Sequence, residues 1–337
     1  MKQRIVVTGG AGYIGGHMAH YLVAKGYDVI VIDNLSTGHK EFIPKKAKFF
    51  QLDLRDKEKL TRLLIKLKPQ AVMHFAAFIV VPESVTRPLK YFENNVGGTL
   101  SLLSAMEAAK VNKLVFSSTA VVYDQAISKP ISENDKINPL SPYAQSKWLV
   151  EQILAECSKA QGLRYAILRY FNVAGSHPQW GVGIKMPKPT HLIPNITRAF
   201  AGRQPEITIF GNKYPTKDGT CVRDYIYVVD LCEAHWLAFK ALQAGMPSNV
   251  FNLGSGKGFT VKEVIETAKQ VLKIPVKVNQ AGPRAGDIPY LVASYRKAKR
   301  LLGWKPRTSL KSILVSAWAW ELSGAPHKVV PNPESKQ

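Results

Sequence analysis

Cysteine, long apolar runs and acidic residues are all scarce in this sequence. Its three cysteines, Cys157, Cys221 and Cys232, are odd in number and lack the Cys-x-x-Cys spacing of redox and zinc motifs. This pattern argues against a disulfide framework or a metal site, so we expect reduced thiols and a cytoplasmic location. A strand-like run begins at Arg4, which leaves no room for a signal peptide, and no stretch reaches the roughly 18 apolar residues of a membrane span.

The scarcity of acidic residues leaves a net charge of +22, from 46 Lys and Arg against 24 Asp and Glu. A basic field attracts anionic small molecules, nucleic acid and anionic membranes alike. The basic residues are nevertheless scattered in short clusters such as 45–48 and 296–300, without an arginine-rich arm or an aromatic ladder. We therefore interpret the charge as a solvated surface and expect neither nucleic acid nor a membrane as a partner.

Residues 4–33 combine two apolar runs with a glycine-rich turn. The first run precedes Gly9-Gly-Ala-Gly12-Tyr-Ile-Gly15, a helical pattern follows the turn, and the second run ends in Asp33. Glycines let backbone N–H groups and a helix N-terminus approach a pyrophosphate closely. The order strand, glycine turn, helix, strand, acid is that of a dinucleotide-binding βαβ unit. Asp33 would accept hydrogen bonds from an adenosine ribose and repel a 2′-phosphate, which favours NAD over NADP.

Strand and helix patterns continue to alternate along the first half. We predict strands at 48–54, 71–77 and 113–119, and helices at about 60–67 and 94–110. Such repeats indicate an α/β fold with a doubly wound parallel (Rossmann) sheet and ligands at the carboxyl ends of its strands. The residues at the predicted ends are Asp53, Phe75, Ala77, Ser117 and Thr119. His74 is interpreted as a core residue, and the loop carboxylates Glu133 and Asp135 as solvated.

The segment from Ser141 to Lys147 predicts a helix start with two reactive side chains. Ser141 suits an N-cap and Pro142 the first helical position. Tyr143 and Lys147 then lie at i and i+4 on one helix face. A fixed ammonium beside a phenol lowers the phenol's pKa, so Tyr143 could take a proton from a hydroxyl while a hydride leaves the same carbon. The spacing also recurs by chance on exposed helices, so its meaning depends on the rest of the chain.

Motifs along nearly the whole chain resemble the extended short-chain dehydrogenase/reductase family, and most closely its nucleotide-sugar 4-epimerases. The matching segments are 8–15, 33–35, 74–77, 82–85, 94–96, 117–119, Tyr143-x-x-x-Lys147, 168–172, 190–194, 209–211, 218–220, 222–226, 252–256, 285–287 and 302–304. The resemblance implies an NAD-binding domain at 1–172 and a smaller C-terminal α/β substrate-binding lobe at 173–330. It also implies that residues at about 225–245 pack back on the first domain, and 331–337 is interpreted as a tail.

The resemblance further implies NAD-dependent interconversion of UDP-glucose and UDP-galactose, through transient oxidation at sugar C4 to a 4-keto intermediate, and a role in galactose metabolism. Tyr143 would be the base, Lys147 would bind the nicotinamide ribose, and Thr119 would hold the 4-oxygen. The implied cofactor contacts are Gly9, Gly12, Tyr13, Ile14, Gly15, Asp33, Asn34, Asp53, Leu54, Phe75, Ala76, Ala77, Asn94, Ser117, Tyr143, Lys147 and Phe171.

The same resemblance implies a set of contacts to the UDP-sugar. They are Thr119, Tyr143, Asn172, His191, Leu192, Thr208, Phe210, Arg223, Arg284 and Asp287. Core packing explains Leu192 and Phe210 equally well. A function is favoured for Arg223, because its apolar neighbours would otherwise bury an unpaired charge. The family also forms homodimers through the helix near 94–110 and the helix that starts at Tyr143.

Particular residues bear on three alternative functions, of which one stays open and two are disfavoured. Leu291 stands where members restricted to glucose and galactose can carry tyrosine, so a 4-epimerase of another UDP-sugar (an N-acetylhexosamine, a pentose or a uronate) remains open. A nucleotide-sugar dehydratase is disfavoured, because Ala120 and Val121 replace the acids that follow the active threonine there. A non-catalytic NAD-binding regulator would need neither Tyr143 nor Lys147.

Overall fold

The computed structural model describes residues 2–124, 129–186, 189–284 and 287–323. The predicted tail at 331–337 and part of the family-like segment 285–287 lie outside these ranges. None of the helices within them combines the length and the apolar character needed to cross a bilayer.

Strands and helices alternate through the first half of the chain. They are β1 (Arg4–Thr8), α1 (Tyr13–Ala24), β2 (Asp28–Asp33), β3 (Lys48–Gln51), α2 (Lys57–Leu67), β4 (Ala71–His74), α3 (Val81–Thr86), α4 (Pro88–Tyr91), α5 (Gly98–Ala108) and β5 (Lys113–Ser117). The predicted strands at 48–54, 71–77 and 113–119 therefore exist but end earlier. The residues beyond their ends form the loops that face the candidate site.

The second half is richer in short strands. It contains α6 (Pro142–Gln161), β6 (Arg164–Tyr170), β7 (Asn172–Ala174), α7 (Leu192–Phe200), β8 (Ile207–Phe210), β9 (Val222–Tyr227), α8 (Val228–Gln243), β10 (Asn249–Leu253), β11 (Gly258–Thr260), α9 (Val261–Leu272), β12 (Val278–Ala281), β13 (Tyr290–Leu291), α10 (Arg296–Leu302) and α11 (Leu310–Leu322).

A seven-stranded sheet in the order β10-β6-β5-β4-β1-β2-β3 forms the centre of the molecule. Every neighbouring pair in it is parallel. Apolar side chains of α1 and α8 cover one face, and those of α2, α5 and α6 cover the other. Helices on both faces of a parallel sheet are the doubly wound arrangement, so the predicted fold class is confirmed.

The smaller sheets come from the second half. The strands β7, β11 and β13 all pair with β9, and β8 pairs with β12. Their core contains apolar side chains of α7, α9 and α11. Within the range 225–245, helix α8 packs against α1, β5 and β6, whereas β9 pairs within the smaller sheet.

Two elements differ from the sequence-based prediction. The seventh strand of the large sheet, β10, lies outside the predicted range 1–172, and its residues Phe251 and Leu253 are fully buried. The helix predicted at 94–110 begins earlier, because Pro88 starts α4 and a π-helical stretch over Phe92–Gly97 joins it to α5. Asn94 therefore lies within this stretch and not near a helix start. Single-turn π segments occur frequently at functional sites.

Candidate active site

Glycines bring the first helix close to the loop that follows β4. A Cβ on Gly9 would lie 2.5 Å from the backbone nitrogen of Ala76, and one on Gly15 would lie 2.1 Å from the carbonyl oxygen of Gly9. Gly9 also has φ of +70°, which glycine adopts without strain. Gly12 occupies the N-cap of α1 and supplies no side chain to its first amides. These amides therefore suit a pyrophosphate.

Asp33 ends β2 beside this turn and organises the loop that follows. Its Oδ2 accepts a hydrogen bond from the Ala11 amide at 3.0 Å, and its Oδ1 accepts one from the Leu35 amide at 2.8 Å. Burial raises the pKa of Asp33, while the two amides oppose that shift. Leu35 adopts φ of 60°, a conformation rare for a side chain of its type, which turns its amide toward the carboxylate.

A cavity at this edge of the sheet brings together most of the predicted cofactor residues. Its lining includes Gly9, Gly12, Asp33, Asn34, Asp53, Leu54, Phe75, Ala76, Ala77 and Asn94. Ser36, Thr37 and Gly38 also line it and were not predicted. In the sequence, the signal for these residues is the short Ser-Thr-Gly turn that follows the acidic strand end. In the structure, a Cβ on Gly38 would lie 2.9 Å from Asp33 Oδ1, so this turn approaches the carboxylate closely.

Asp53 lies past the end of β3 and orients Asn34. Its Oδ2 accepts a hydrogen bond from Asn34 Nδ2 at 3.0 Å. Arg55 donates to the same carboxylate through Nε at 2.9 Å and Nη2 at 2.8 Å. The Arg55 guanidinium holds the pKa of Asp53 well below its usual range. Asp53 is therefore a fixed anion at the rim of the cavity, with Arg55 as a partner that the sequence did not indicate.

Several predicted cofactor residues lie outside this lining. The hydroxyl group of Tyr13 donates to the carbonyl oxygen of Gly175 at 2.6 Å and so links α1 to the chain after β7. Ile14 packs against the core between α1 and the sheet. Phe171 is buried in an apolar cluster with Val122 and Tyr123. Gly15, which lies against Gly9, is also outside the lining, and the last three, Ser117, Tyr143 and Lys147, form a separate group.

This second group is assembled by α6 and the end of β5. Ser141 caps α6 by accepting from the Ala144 amide at 3.2 Å, as predicted. Tyr143 and Lys147 are both buried. Lys147 Nζ donates to the carbonyl oxygen of Ser117 at 2.9 Å, and the side chain of Thr119 forms a hydrogen bond with Tyr143. The predicted base, ammonium and 4-oxygen partner are therefore adjacent.

Burial reverses the predicted protonation balance of this group. It raises the pKa of Tyr143 to about 12, although the hydrogen bond from Thr119 acts in the opposite direction. It lowers the pKa of Lys147 to about 7, against the attraction of Glu151. The prediction of a lowered phenol pKa is thus wrong for the protein chain alone, because removing the phenolate from water outweighs the groups that favour it.

A cleft of about 580 Å³ lies beside α7 and the smaller sheet. Its lining includes Asn172, His191, Leu192, Thr208, Phe210, Arg223, Arg284 and Asp287, together with Cys221, which was not predicted. The guanidinium of Arg284 lies 3.5 Å above the centre of the Phe210 ring. Arg223 Nη2 lies 3.8 Å from Asp287 Oδ1, so its charge has the partner that its apolar neighbours required. Leu192 and Phe210 are half-buried side chains of this lining.

Other candidate residues have structural roles. His74 is buried, with Nδ1 2.6 Å from Thr8 Oγ1 and Nε2 2.9 Å from Thr99 Oγ1, which confirms its interpretation as a core residue. Glu133 is not simply solvated, because its Oε1 accepts from the Asn252 amide at 2.7 Å. Asp135 likewise accepts from the backbone and side chain of Ser132. No group of three His, Cys, Asp or Glu side chains in the described ranges could hold a metal ion.

A sequence model of the NAD-dependent epimerase/dehydratase family matches residues 5–254. The chain belongs to this family. The resemblance to the extended short-chain dehydrogenase/reductases is thereby confirmed, and NAD is the family's cofactor. The glycine turn, the acid at the end of β2 and the N-cap of α1, which lacks a side chain, fit a dinucleotide with a free ribose 2′-hydroxyl.

Relatives match over almost their full length. The UDP-glucose 4-epimerase of Lactobacillus helveticus is 46% identical over 321 residues, which cover 95% of this chain and 97% of the relative. The UDP-glucose-4-epimerase of Stenotrophomonas maltophila, solved with NAD and formylated UDP-arabinopyranose, has a TM-score of 0.92 at 37% identity, covering 96% and 98% of the two chains. The UDP-Glc/GlcNAc 4-epimerase of Campylobacter jejuni has a TM-score of 0.84 at 40% identity, covering 96% and 100%.

Proposed function

We propose that this epimerase-family protein is an NAD-dependent UDP-glucose 4-epimerase. The observation that carries the proposal is the position of the reactive group in the sheet. The strand β5 lies between β4, whose following loop lines the first cavity, and β6, which is followed by Asn172 in the second cleft. A proton-transfer group therefore separates a dinucleotide site from a site with two arginines. That order suits oxidation and reduction of the sugar of a UDP-sugar.

The side chains divide the chemistry between them. Bound NAD supplies an acceptor and donor of hydride at sugar C4. Tyr143 removes the proton of the 4-hydroxyl and returns it after the 4-keto sugar has turned over; because the hydride taken from C4 would also return, to the other face of the sugar, the net redox change is zero. Thr119 holds the 4-oxygen, and the Lys147 ammonium binds the nicotinamide ribose and stabilises the phenolate. Burial alone keeps the phenol protonated, so proton release depends on the Thr119 hydrogen bond and on the nearby Lys147 ammonium, and the positive ring of bound NAD would act in the same direction.

The second cleft supplies the contacts that would hold the UDP portion of the substrate while the sugar turns. We assign the diphosphate to Arg223 and Arg284, because guanidinium groups match phosphate oxygens in a bidentate geometry. Phe210 beneath Arg284 and Leu192 at the start of α7 provide apolar surface for the uracil. Asn172, His191, Thr208 and Asp287 supply polar contacts in the same lining. A sugar held through its UDP portion can turn without leaving the protein.

A second candidate substrate is another UDP-sugar. One structurally similar relative was solved with formylated UDP-arabinopyranose and another is named a UDP-Glc/GlcNAc 4-epimerase, so relatives with this fold are associated with different sugars. Leu291 is buried beside Tyr123 and Phe171 and does not line the described cleft. It is smaller than the tyrosine of restricted family members, so any effect on the sugar would be transmitted through Tyr123 and Phe171, its neighbours in this buried cluster.

We also propose a cytoplasmic homodimer. The three cysteines are free thiols, as expected in a reducing compartment. Large apolar side chains are exposed on neighbouring helices, namely Val85 at 63%, Leu89 at 71%, Leu100 at 47% and Leu149 at 41%. They come from α3, α4, α5 and α6, and α3 and α4 both contact α6. A patch of this kind is suited to a second copy of the chain.

One experiment tests both the chemistry and the sugar. The purified protein is denatured to measure released NAD, and the native protein is incubated separately with UDP-galactose, UDP-N-acetylgalactosamine, UDP-xylose and UDP-glucuronate without added cofactor. We expect UDP-glucose from the first reaction. Formation of a 4-epimer only in another reaction would favour the second candidate. Bound NAD without turnover of any sugar would overturn the proposal.

A further inference from the structure

We propose that the Glu151 carboxylate, held by Arg169, is a positioning group that ties the catalytic helix α6 to the catalytic end of β5. The inference rests on the proposed epimerase function, because it concerns the groups that transfer the proton. Glu151 lies one helical turn after Lys147 and is 4% exposed. Among the described residues that line the two cavities, Glu151 is not included.

The Glu151 carboxylate binds Ser118, the middle residue of the segment 117–119 at the end of β5. Ser118 Oγ donates a hydrogen bond to Glu151 Oε1. The residue before Ser118 supplies the carbonyl oxygen that accepts from Lys147, and the residue after it is Thr119, the partner of Tyr143. The buried Ser118–Glu151 hydrogen bond therefore fixes α6 against the end of β5, between the Ser117–Lys147 contact and the Thr119–Tyr143 contact. A shift of Ser118 relative to α6 would change the contacts of Lys147 and of Tyr143 at the same time.

Arg169 holds this carboxylate in place through several hydrogen bonds. Its Nε lies 3.0 and 3.1 Å from the two Glu151 oxygens, and Nη2 donates to Oε2. Its Nη1 donates to the Tyr123 hydroxyl at 2.8 Å, and that hydroxyl donates to Asn252 Oδ1 at 2.7 Å. The guanidinium also lies 5.6 Å from the centre of the Trp148 ring. The pair is thus braced by β6, by the loop after β5 and by β10.

Glu151 also sets the electrostatic surroundings of Lys147. The ionisable groups facing Lys147 are Tyr143 and Glu151 on its own helix, His74 on β4 and, beyond Glu151, Arg169 on β6. Burial lowers the pKa of His74 to about 3, so that ring is neutral, while burial also keeps Tyr143 protonated. The carboxylate is therefore the group that favours the ammonium.

Variants can separate the tether from the charge. Glu151→Gln keeps an oxygen acceptor for Ser118 but removes the charge, whereas Ser118→Ala removes the tether but keeps the ion pair. The control is Glu321→Gln, because Glu321 is also a buried carboxylate paired with an arginine, Arg203, and neither residue lines a cavity. All three are compared with the wild-type holoenzyme for bound NAD, kcat and KM for UDP-galactose from pH 6 to 9.

We expect kcat to fall about 10- to 100-fold in Glu151→Gln and Ser118→Ala, with bound NAD and KM little changed. In Glu151→Gln, the activity that depends on the Lys147 ammonium should also be lost at a pH about one unit lower than in the wild type. In Ser118→Ala the pH profile should keep its position. Glu321→Gln should match the wild type in kcat and pH profile.

The inference would be overturned if Glu151→Gln kept the kcat and the pH profile of the wild type. It would also be overturned if Glu321→Gln changed kcat and the pH profile as much as Glu151→Gln does. If Glu151→Gln fails to fold, wild-type kcat in Ser118→Ala overturns the tether. A wild type without turnover would instead reject the proposed function. The charge effect can then be measured separately, by NMR titration of the Lys147 side chain in protein labelled with 13C-lysine, because an amine that is only 3% exposed is poorly accessible to acylating reagents. We expect a lower amine pKa in Glu151→Asn or Glu151→Gln than in the wild type, and an unchanged value rejects the inference.

Discussion

Tyr143 can be tested by removing a single atom, because only its hydroxyl group is reactive. Tyr143→Phe keeps the buried ring and removes the proton acceptor. We expect kcat to fall about 10²- to 10⁴-fold, the usual contribution of general acid–base catalysis, while bound NAD stays at the wild-type level. The measurement is the conversion of UDP-galactose, with NAD determined in the denatured protein.

Tyr27→Phe is the matched control for this substitution. The Tyr27 hydroxyl accepts a hydrogen bond from Trp236 Nε1 at 3.1 Å on the far side of the molecule, so its loss should leave kcat unchanged. Substantial epimerisation by Tyr143→Phe would remove Tyr143 from its assigned role.

Lys147 gives a prediction of stability against pH. Its pKa is about 7 in the folded chain and near 10.5 when unfolded, so between these values the unfolded state binds the extra proton. The free energy of unfolding should therefore rise with pH, by up to about 1.4 kcal/mol per unit for this group. Denaturant unfolding of the NAD-free protein at pH 7.0 to 8.5 should show this rise relative to Lys147→Met. Parallel stability profiles would contradict the lowered pKa.

The two preceding cases show what a sequence can reveal about single residues. The i, i+4 spacing predicted that Tyr143 and Lys147 share a face, because helix geometry is local. The same pattern gave the wrong direction for the phenol pKa, since burial depends on residues distant in the chain. Glu151 and Arg169 escaped prediction for that reason, because their bond joins α6 to β6.

At the scale of elements, the close approach of α1 to the first turn can be tested with glycine variants. A Cβ at Gly15 would lie 2.1 Å from the Gly9 carbonyl oxygen, so Gly15→Ala must push the helix away from the pyrophosphate site. We expect loss of most bound NAD and a destabilisation of about 1–3 kcal/mol. Released NAD and denaturant unfolding measure the two effects.

Gly97→Ala is the control for the glycine variant. Gly97 is also helical, but the nearest atom to an added Cβ is 4.0 Å away, so alanine should be tolerated. Full NAD occupancy in Gly15→Ala would contradict the assigned role of the turn.

The elements that the sequence predicted are those defined by local patterns. Apolar runs located β1 and β2, and Ser141 with Pro142 located the start of α6. By contrast, β10 was missed because its membership of the large sheet depends on pairing with β6, which precedes it by a long stretch of chain. The π-helical stretch was missed because Asn95 stabilises it through contacts with Phe78 and with Ser146 on α6.

At the scale of the whole molecule, the net charge of +22 and the exposed apolar patch lead to different expectations. The charge attracts an anionic UDP-sugar, but it also opposes association of two copies. A homodimer must therefore bury enough apolar surface to offset that repulsion. The side chains of the patch on α3 to α6 are the ones available for this purpose.

The dimer proposal predicts that charges in this patch will separate the subunits. Leu100 and Leu149 are 47% and 41% exposed, and replacing both by glutamate would bury two unpaired carboxylates in the interface. In sedimentation velocity we expect the wild type to behave as a dimer and Leu100→Glu/Leu149→Glu as a monomer. Val315→Glu on α11, where the valine is 47% exposed, is the control and should remain dimeric. A monomeric wild type, or a double variant that stays dimeric, would exclude this interface. Because Tyr143 and Leu149 lie on the same helix, kcat measured on the monomer would then show whether pairing of the subunits supports the catalytic helix.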